Sequence, residues 1–501
     1  MYTERAGAWM TLRTQTVRGV AWAAGARLGN QFAQFVVSAI LSRLLFPDDF
    51  GLIGMIAVFT GFAALFSEFG LGSALIQRRE ITDDHINSIF WLNLLIGAGI
   101  TLIFWAASGP IARFYSNPHL VSLTRALAFS FSIAATAIVP RALLQKRMDF
   151  RNVARVDILS TIMAGATAVF LALAGAGVWS LVVQTLLGNV VAVPLLWRAA
   201  RWRPRVRYSA KAIRELVGFA ANLSGYNVIN YWARNSDNLF VGKVIGSSAL
   251  GIYARAYSLM LLPISQVTSV VGTVMFPALS SIQEDRPRVR RIYLRAMGVI
   301  ALITFPMMTG LFVVAKPFVL AVYGQRWAGV IPILEIMCPI GLLQSMMNPV
   351  GWLYTSQGRT DWMFRWGVAG SGTLIVAIAI GAYFRTTESI ASSYLIANVV
   401  LFYPCLAIPG RLVELRVVDV CRAVGGAMLC ALAMGIVVWC VGRLLPQGLS
   451  AWITLSVEIA VGVLAYVLLV VRSDVAAYHD LRSLVHDRRS QVALDAEPVT
   501  P

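Results

Sequence analysis

The stretch LSRLLFPDDFGLI at residues 41–53 has a counterpart about 200 residues later, VGKVIGSSALGIY at residues 241–253. Each contains one basic side chain among apolar residues, passes through a short turn and ends in an apolar-Gly-apolar step. The two glycines are Gly51 and Gly251, and the match needs no gap. The pattern predicts that the chain contains the same structural unit twice.

The composition is that of an integral membrane protein. The chain has 501 residues, of which 58% are hydrophobic and 13% are charged, whereas about 25% of the residues of a soluble domain are charged. A helix needs about 20 mostly apolar residues to cross a bilayer. We therefore predict an all-α membrane protein with about fourteen transmembrane helices. The predicted spans are 17–45, 50–72, 87–107, 120–142, 153–174, 177–197, 215–244, 250–278, 297–322, 329–353, 362–384, 388–409, 420–442 and 450–471.

Basic residues in the links between spans predict the topology. The net charge is +18, and most of it lies in short links, which is typical of topology signals rather than of a nucleic-acid surface. Links such as 145–155 and 198–214 are rich in arginine, and the intervening links are nearly free of basic residues. By the positive-inside rule the basic links, and with them both termini, are cytoplasmic. This topology requires an even number of spans.

The repeat and the charges together predict the domain organisation. We expect a six-helix lobe at 1–200, a basic cytoplasmic linker at 201–214, a second six-helix lobe at 215–410, two further helices at 411–471 and a cytoplasmic tail at 472–501. Two units of six spans keep the same orientation in the membrane, as in transporters built from parallel repeats.

The densest basic cluster is RAARWRPRVRYSAKAIR at 198–214. Two interpretations of it stay open. It is a topology determinant that contacts anionic lipid, or it also concentrates an anionic lipid substrate at the cytoplasmic mouth. No link is long enough for a soluble catalytic domain, so we predict no enzyme activity and no catalytic residue. The scattered cysteines and histidines predict no metal site.

Polar side chains follow one face of the first span. They recur at steps of three, one, three and four residues, which puts them on the same side of an α-helix. Positions 200 residues later hold polar or amphipathic side chains in the seventh span, so the stripe repeats. The first stripe is Arg27, Asn30, Gln31, Gln34 and Ser38, and the second is Asn227, Asn230, Tyr231, Arg234 and Asn238.

The arginines inside spans indicate a wet, cationic cavity. An arginine at the bilayer centre costs about 2.5–3.5 kcal/mol unless it faces water or a partner. We predict that Arg27, near the midplane, and Arg234 line this cavity. Arg255 in the eighth span either lines it too or extends to the outer interface, and Gln266 lies on a polar face of the same span. Because arginine pairs bidentately with phosphate and amides suit sugars, the set predicts a large, polar, anionic substrate.

Three acidic residues are candidates for ion coupling. Glu68 ends the second span, Asp237 follows Arg234 by three residues, and Glu335 lies within the tenth span. Asp237 is either a structural partner of Arg234 on the same helix face or a coupling site. Glu335 is the most isolated by sequence and is the better candidate. Coupling to H+ or Na+ is the only cofactor role that we predict.

Four stretches resemble one known family. They are RNSDNLFVGKVIGSSALGIYARAY, LSRLLFPDDFGLIGM, SEFGLGSALIQRRE and LLQKRMDFR. They are similar to the polysaccharide exporters related to Wzx, which are lipid-linked oligosaccharide flippases of the multidrug/oligosaccharidyl-lipid/polysaccharide exporter superfamily. The resemblance covers the chain to about residue 475.

The resemblance implies a fold and a function. The fold is two six-helix lobes in a V around a central cavity, with two extra C-terminal helices. The function is alternating-access transfer of an undecaprenyl-diphosphate-linked oligosaccharide from the inner to the outer leaflet of a bacterial cytoplasmic membrane, for exopolysaccharide, capsule or lipopolysaccharide. The expected partners are that lipid-linked oligosaccharide, membrane lipids and a polysaccharide polymerase or assembly machinery, and nucleic acid is not among them.

Three rival functions stay open. A drug/cation antiporter of the same superfamily would need a cavity dominated by acids, which the excess of arginine disfavours. An integral-membrane polysaccharide-assembly enzyme would usually need a large extramembrane loop. A non-transporting scaffold of an assembly complex is compatible with everything above.

Overall fold

The computed structural model describes residues 25, 27–68, 72, 75–76, 81–206, 209, 231–232, 234–446, 448–473, 475 and 477–479. Over these ranges the regular elements are helices, with no β-strand. The α-helices are α1 (27–44), α2 (Pro47–Glu68), α3 (Asp83–Tyr115), α4 (Leu120–Lys146), α5 (Phe150–Leu173), α6 (Trp179–Ala200), α7 (234–244), α8 (Ser247–Ser280), α9 (Arg286–Val313), α10 (Ala315–Val322), α11 (Val330–Met347), α12 (Val350–Ser356), α13 (Thr360–Tyr383), α14 (Thr387–Gly410), α15 (Val417–Leu444) and α16 (Ala451–Arg472).

The prediction of an all-α membrane protein is confirmed. Twelve segments in the described part of the chain are long and apolar enough to cross a membrane. They coincide with twelve of the fourteen predicted spans. The other two predicted spans, 17–45 and 215–244, extend beyond the described residues, which include only their later parts as α1 and α7. Two helices, α3 and α8, have 33 and 34 residues. Each is about 50 Å long and therefore outreaches a hydrocarbon core of about 30 Å.

Two predicted spans are interrupted. The span predicted at 297–322 divides at Val314, which follows the last residue of α9 and precedes α10. The segment Val330–Ser356 is likewise two helices, because α11 ends at Met347 and Pro349 is the N-cap residue of α12. A proline has no N–H to donate to the preceding turn, so a helix tends to break or restart there. Hydropathy alone does not show either break.

Contacts divide the chain into two compact units, Met1–Gly251 and Ile252–Pro501. In the first unit, small residues allow helices to approach closely. A Cβ at Gly97 of α3 would collide with the main chain of Phe131 in α4, and a Cβ at Gly165 of α5 would collide with the Val37 side chain of α1. Close packing through small residues is typical of helices in membranes, where lipid supplies no hydrophobic force between them.

The second unit has an extensive apolar core among its described residues. Tyr293 and Phe305 of α9 are buried together with residues of α12, α14 and α15. The Arg290 guanidinium contacts the Asp419 carboxylate at 2.7 Å, and the Tyr466 hydroxyl of α16 donates to the Leu302 carbonyl at 2.8 Å. The last two spans, α15 and α16, therefore pack on α9.

The repeated glycines make equivalent contacts inside the first unit. A Cβ at Gly51 would overlap the main chain of Ser247, and a Cβ at Gly251 would overlap the main chain of Pro47. Each glycine thus lies against the residue that stands four positions before the other glycine. The Ser247 hydroxyl also donates to the Asp48 carboxylate. The stretches 41–53 and 241–253 are therefore both similar in sequence and in direct contact.

We expect Gly51→Ala and Gly251→Ala to lower the stability of the protein. The added methyl group meets main chain, which cannot rotate away, and overpacking of this kind costs about 1–3 kcal/mol or more. Thermal unfolding of the purified protein, followed by tryptophan fluorescence, measures the effect. The controls are Gly99→Ala and Gly351→Ala, where nothing lies within 4 Å of the new Cβ. An exchange of glycine for alanine in a helix normally stabilises by about 0.5–1 kcal/mol. Equal effects at all four positions would contradict the close contact.

Candidate functional site

The polar stripe of the first span lies on α1. Arg27 and Gln34 are exposed, and Asn30 and Gln31 are half-buried. Arg27 has no hydrogen bond or ion pair with any described residue. The Oδ1 atom of Asn30 is buried and has no hydrogen-bond partner within the described part of the chain. A buried amide oxygen without a partner is costly, so this stripe retains unused capacity to accept a hydrogen bond.

The second stripe is only partly described. Asn227 and Asn230 lie outside the described residues. The Tyr231 hydroxyl donates to the Val58 carbonyl at 2.6 Å. Arg234 is exposed and has no partner among the described residues. Among the described residues of this stripe, the Arg234 side chain and the Oδ1 atom of Asn238, which is buried and has no hydrogen-bond partner, remain available.

The two arginines lie at different depths along their helices. The helical rise is about 1.5 Å per residue, so Arg27 lies about 26 Å from the end of α1 and Arg234 about 15 Å from the end of α7. The hydrocarbon core is about 30 Å thick. Arg234 therefore fits the middle of a bilayer better than Arg27, which we predicted near the midplane. The residue of α1 that corresponds in depth to Arg234 is Gln34.

Asp237 and Arg234 do not pair. The Asp237 side chain is only 2% exposed, and its Oδ1 atom accepts from the Asn238 main-chain N–H at 2.8 Å. No ion pair joins the Asp237 carboxylate to Arg234. The two residues are three positions apart on α7, and both belong to the described residues. The Asp237 side chain is buried and the Arg234 side chain is exposed, so the two side chains have different surroundings although the spacing predicts one helix face.

In the second unit, Arg255 lies against aromatic rings. Its guanidinium carbon is 5.2 Å from the Tyr323 ring centre and 5.3 Å from the Trp327 ring centre. Both rings are almost completely buried. Burial raises the pKa of the Tyr323 phenol, and the charge of Arg255 opposes this shift. The phenol therefore stays neutral at physiological pH and can hold the cation through its ring and its oxygen.

The polar face of α8 is partly engaged with its own helix. Its hydroxyl groups donate to carbonyls three or four residues earlier, as Ser258 does to Ala254 at 2.7 Å and Ser265 to Leu262 at 3.0 Å. Such hydroxyls retain free lone pairs but no proton to donate. Gln266 is half-buried and has a partner. This face can therefore accept hydrogen bonds from a ligand more readily than it can donate them.

The remaining acidic candidates differ in their surroundings. Glu335 is half-buried on α11 and has no hydrogen bond or ion pair with a described residue. Glu68 ends α2, and its side chain lies outside what is described. No group of three or more His, Cys, Asp or Glu side chains that could hold a metal ion occurs within the described ranges.

Sequence reasoning missed the aromatic partners of Arg255. Tyr323 and Trp327 belong to a link between spans whose low basic charge predicts topology but no partner for Arg255. Their ring centres are 6.1 Å apart, because the turn at 325–327 returns the chain onto α10. The available signal was an aromatic pair four residues apart in a link between spans, where aromatic side chains favour the membrane interface.

The sequence matches a known family over more than half of its length. The profile of the family described as "Polysaccharide biosynthesis protein" matches residues 40–332. The chain is 29% identical over 397 residues to the lipopolysaccharide biosynthesis protein WzxC of Escherichia coli (strain K12), covering 78% of this chain and 80% of that protein. It is 28% identical over 374 residues to the succinoglycan biosynthesis transport protein ExoT of Rhizobium meliloti (strain 1021), covering 74% and 76%.

The fold matches that of a solved membrane protein. The structure of the lipid II flippase MurJ in an inward closed conformation superposes with a TM-score of 0.74. The match covers 92% of this chain and 99% of that one, at 14% sequence identity. At this level of identity the likeness establishes a shared fold.

Proposed function

The chain belongs to the family of polysaccharide biosynthesis proteins, and we propose that it is a flippase that transfers a lipid-linked oligosaccharide across the cytoplasmic membrane. It is a multi-pass membrane protein with twelve candidate spans in the described ranges. A relative named as a transport protein and a fold shared with a lipid flippase support the proposal.

The observation on which the proposal depends most is the state of Arg234. Protein does not cover this side chain, and no described residue pairs with it. A guanidinium in the middle of a bilayer must face water or an anion, because contact with lipid costs about 2.5–3.5 kcal/mol or more. Arg234 therefore faces a polar path. An anion that travels along this path would remove the cost of the unpaired charge.

The proposed substrate is an undecaprenyl-diphosphate-linked oligosaccharide. Its diphosphate would pair with Arg27 and Arg234 in turn, since arginine binds phosphate oxygens bidentately. The amides of Asn30, Gln31 and Gln34 would bond to sugar hydroxyls, and the prenyl chain would stay in the lipid. Arg27 lies about 26 Å from the end of α1 and Arg234 about 15 Å from the end of α7, so the diphosphate would meet them at two depths.

The second stripe and α8 would complete the path. Asn227 and Asn230 are assigned to it from the repeat, and Gln266 and Arg255 from α8. Arg255 is half-buried, and two rings lie against its guanidinium. We assign it a role in fixing the outer part of α8 against the segment 323–327, in addition to the proposed contact with substrate.

Alternating access of two six-helix lobes, 1–200 and 215–410, is the proposed mode of transfer. The basic linker 201–214 and both termini would be cytoplasmic, by the positive-inside rule. The direction is from the inner to the outer leaflet, where a polysaccharide polymerase or assembly machinery is the proposed recipient. Membrane lipids are the remaining partners.

Ion coupling is assigned to the three acidic candidates. Glu335 has no described partner, so its carboxylate is free to bind and release H+ or Na+. Asp237 is buried and already accepts one main-chain hydrogen bond, which suits a carboxylate that binds an ion within the protein. Glu68 remains a third candidate from its position at the end of α2.

We expect Arg234→Gln to abolish export and Arg27→Gln to reduce it by about tenfold or more. Glutamine is shorter than arginine but keeps a polar side chain with N–H donors, and it cannot form the charge-assisted pair, which contributes about 1.5–3 kcal/mol. The measurement uses a strain that lacks the gene and carries each variant, and quantifies lipid-linked oligosaccharide in the cytoplasmic leaflet. Accumulation there is the expected result.

The matched control for these variants is Arg472→Gln. Arg472 is exposed and ends α16, and its exchange removes the same charge outside the proposed path. All variants are checked for their amount in the membrane fraction. Undiminished export by Arg27→Gln and Arg234→Gln together would exclude the assignment of these arginines to the substrate.

We expect Glu335→Gln to remove the acceleration of transfer by an imposed pH or Na+ gradient while leaving slow transfer without a gradient. The amide cannot gain or lose a proton and is a weaker ligand for Na+ than a carboxylate. Reconstituted vesicles with either gradient measure this. Glu388→Gln is the control, because Glu388 is exposed in the first turn of α14. Equal gradient dependence of both variants would exclude Glu335 and leave Asp237 and Glu68 for the same test.

A further inference from the structure

A cavity at the basic end of the first unit is separate from the path proposed above. Its volume is about 890 Å³, within the range of about 300–1,000 Å³ that is usual for ligand sites. It is lined by the first turn of α3, the end of α6 and the residues 201–205 that follow α6. Four of the lining residues are the arginines Arg198, Arg201, Arg203 and Arg205.

The wall of this cavity is held by buried polar groups. The Asn87 Oδ1 atom accepts from the Arg205 main-chain N–H at 2.7 Å, and the Ser88 hydroxyl oxygen accepts from the Ser209 N–H at 2.8 Å. The Trp91 indole donates to the Arg205 carbonyl at 2.9 Å. Asn87 and Ser88 are almost completely buried. Buried polar side chains thus fix the main chain around Arg205 in one position on α3.

Three of the arginines have no partner among the described residues. Arg205 contacts the Asp83 carboxylate at 3.6 Å. Arg198, Arg201 and Arg203 are exposed and have no hydrogen bond or ion pair with a described residue. Four arginines and one aspartate therefore line the same cavity, which leaves an excess of positive charge among its described lining residues.

Two indole rings complete the lining. Trp197 donates its N–H to the Thr136 carbonyl at 2.9 Å, and Trp202 packs edge-on against Phe90 with ring centres 5.4 Å apart. Both tryptophans line the cavity. Indoles prefer the level of the lipid headgroups, and this pair stands where the apolar helix α6 ends.

We propose that this cavity binds the phosphate of a membrane lipid headgroup. Free arginines match phosphate oxygens bidentately, and clusters of basic residues at the cytoplasmic end of spans attract anionic lipid. The indoles hold the cavity at the headgroup level, where a lipid phosphate lies and a soluble anion does not concentrate. The site would keep an anionic lipid at the predicted cytoplasmic face. It does not rest on the proposed transfer, because binding is measured without transport.

The test is native mass spectrometry of the full chain in a neutral detergent. The probes are dioleoyl phosphatidic acid, the zwitterionic dioleoyl phosphatidylcholine and inorganic diphosphate. The variant is Arg198→Gln, Arg201→Gln and Arg203→Gln combined. We expect it to bind phosphatidic acid at least about tenfold more weakly than the native chain, because each basic residue near an anionic headgroup adds to binding.

The matched control removes three arginines elsewhere. Arg286, Arg288 and Arg291 are exposed in the first turns of α9, and their side chains have no described partner, so their combined exchange for glutamine changes the net charge equally. This control variant is expected to bind phosphatidic acid as the native chain does. Equal losses in the two triple variants would reduce the effect to net charge and overturn the proposal.

The probes separate the sources of the phosphate. We expect inorganic diphosphate to displace phosphatidic acid only at a concentration at least about tenfold higher than that of the lipid, since diphosphate lacks acyl chains. Diphosphate that binds as tightly as the lipid, or phosphatidylcholine that binds as well as phosphatidic acid, would overturn the proposal. If the triple glutamine variant does not fold, a variant with lysine at the same three positions is used in its place. It is expected to bind about threefold more weakly, because lysine cannot pair bidentately, and undiminished binding would count against the site.

Discussion

The first unit depends on the close approach of two glycines to main chain. Gly51 lies against Ser247 and Gly251 against Pro47, so two stretches about 200 residues apart contact each other through equivalent positions. Only a residue without a Cβ permits this distance at either place. The contact fixes where α1 turns into α2 and where α7 turns into α8. The polar stripes of α1 and α7 are the segments that enter these two turns, so their depth is counted from a fixed point.

Arginine placement follows from the cost of charge in lipid. The arginines of the links lie at the ends of spans, where water reaches them, and this pattern predicts the topology. Arg255 is inside a span but is held by Tyr323 and Trp327. Arg234 lies in the predicted span 215–244 and lacks any described partner. The rings give Arg255 a structural role beside its proposed contact with substrate, whereas Arg234 has only the proposed contact, and sequence alone does not show this difference.

Much of the fold was predictable because apolar length is a strong signal. Twelve spans in the described ranges agree with the hydropathy pattern, since lipid leaves the backbone few alternatives to a helix. The breaks at Val314 and Pro349 were missed because they change helix continuity without changing hydropathy. The site was less predictable. The spacing of three residues places Arg234 and Asp237 on one helix face, but only the packing shows that Asp237 is buried and Arg234 is exposed.

The most direct test of the central claim uses the purified protein in vesicles that contain an undecaprenyl-diphosphate-linked oligosaccharide with a labelled glycan. A reagent that oxidises sugars and cannot cross the membrane measures how fast the inner-leaflet glycan becomes accessible. Our account predicts that the native protein makes the inner-leaflet pool accessible within minutes, while vesicles with Arg234→Gln behave like vesicles without protein. The same slow rate in all three preparations, or equal fast rates for the native and variant proteins, would contradict it.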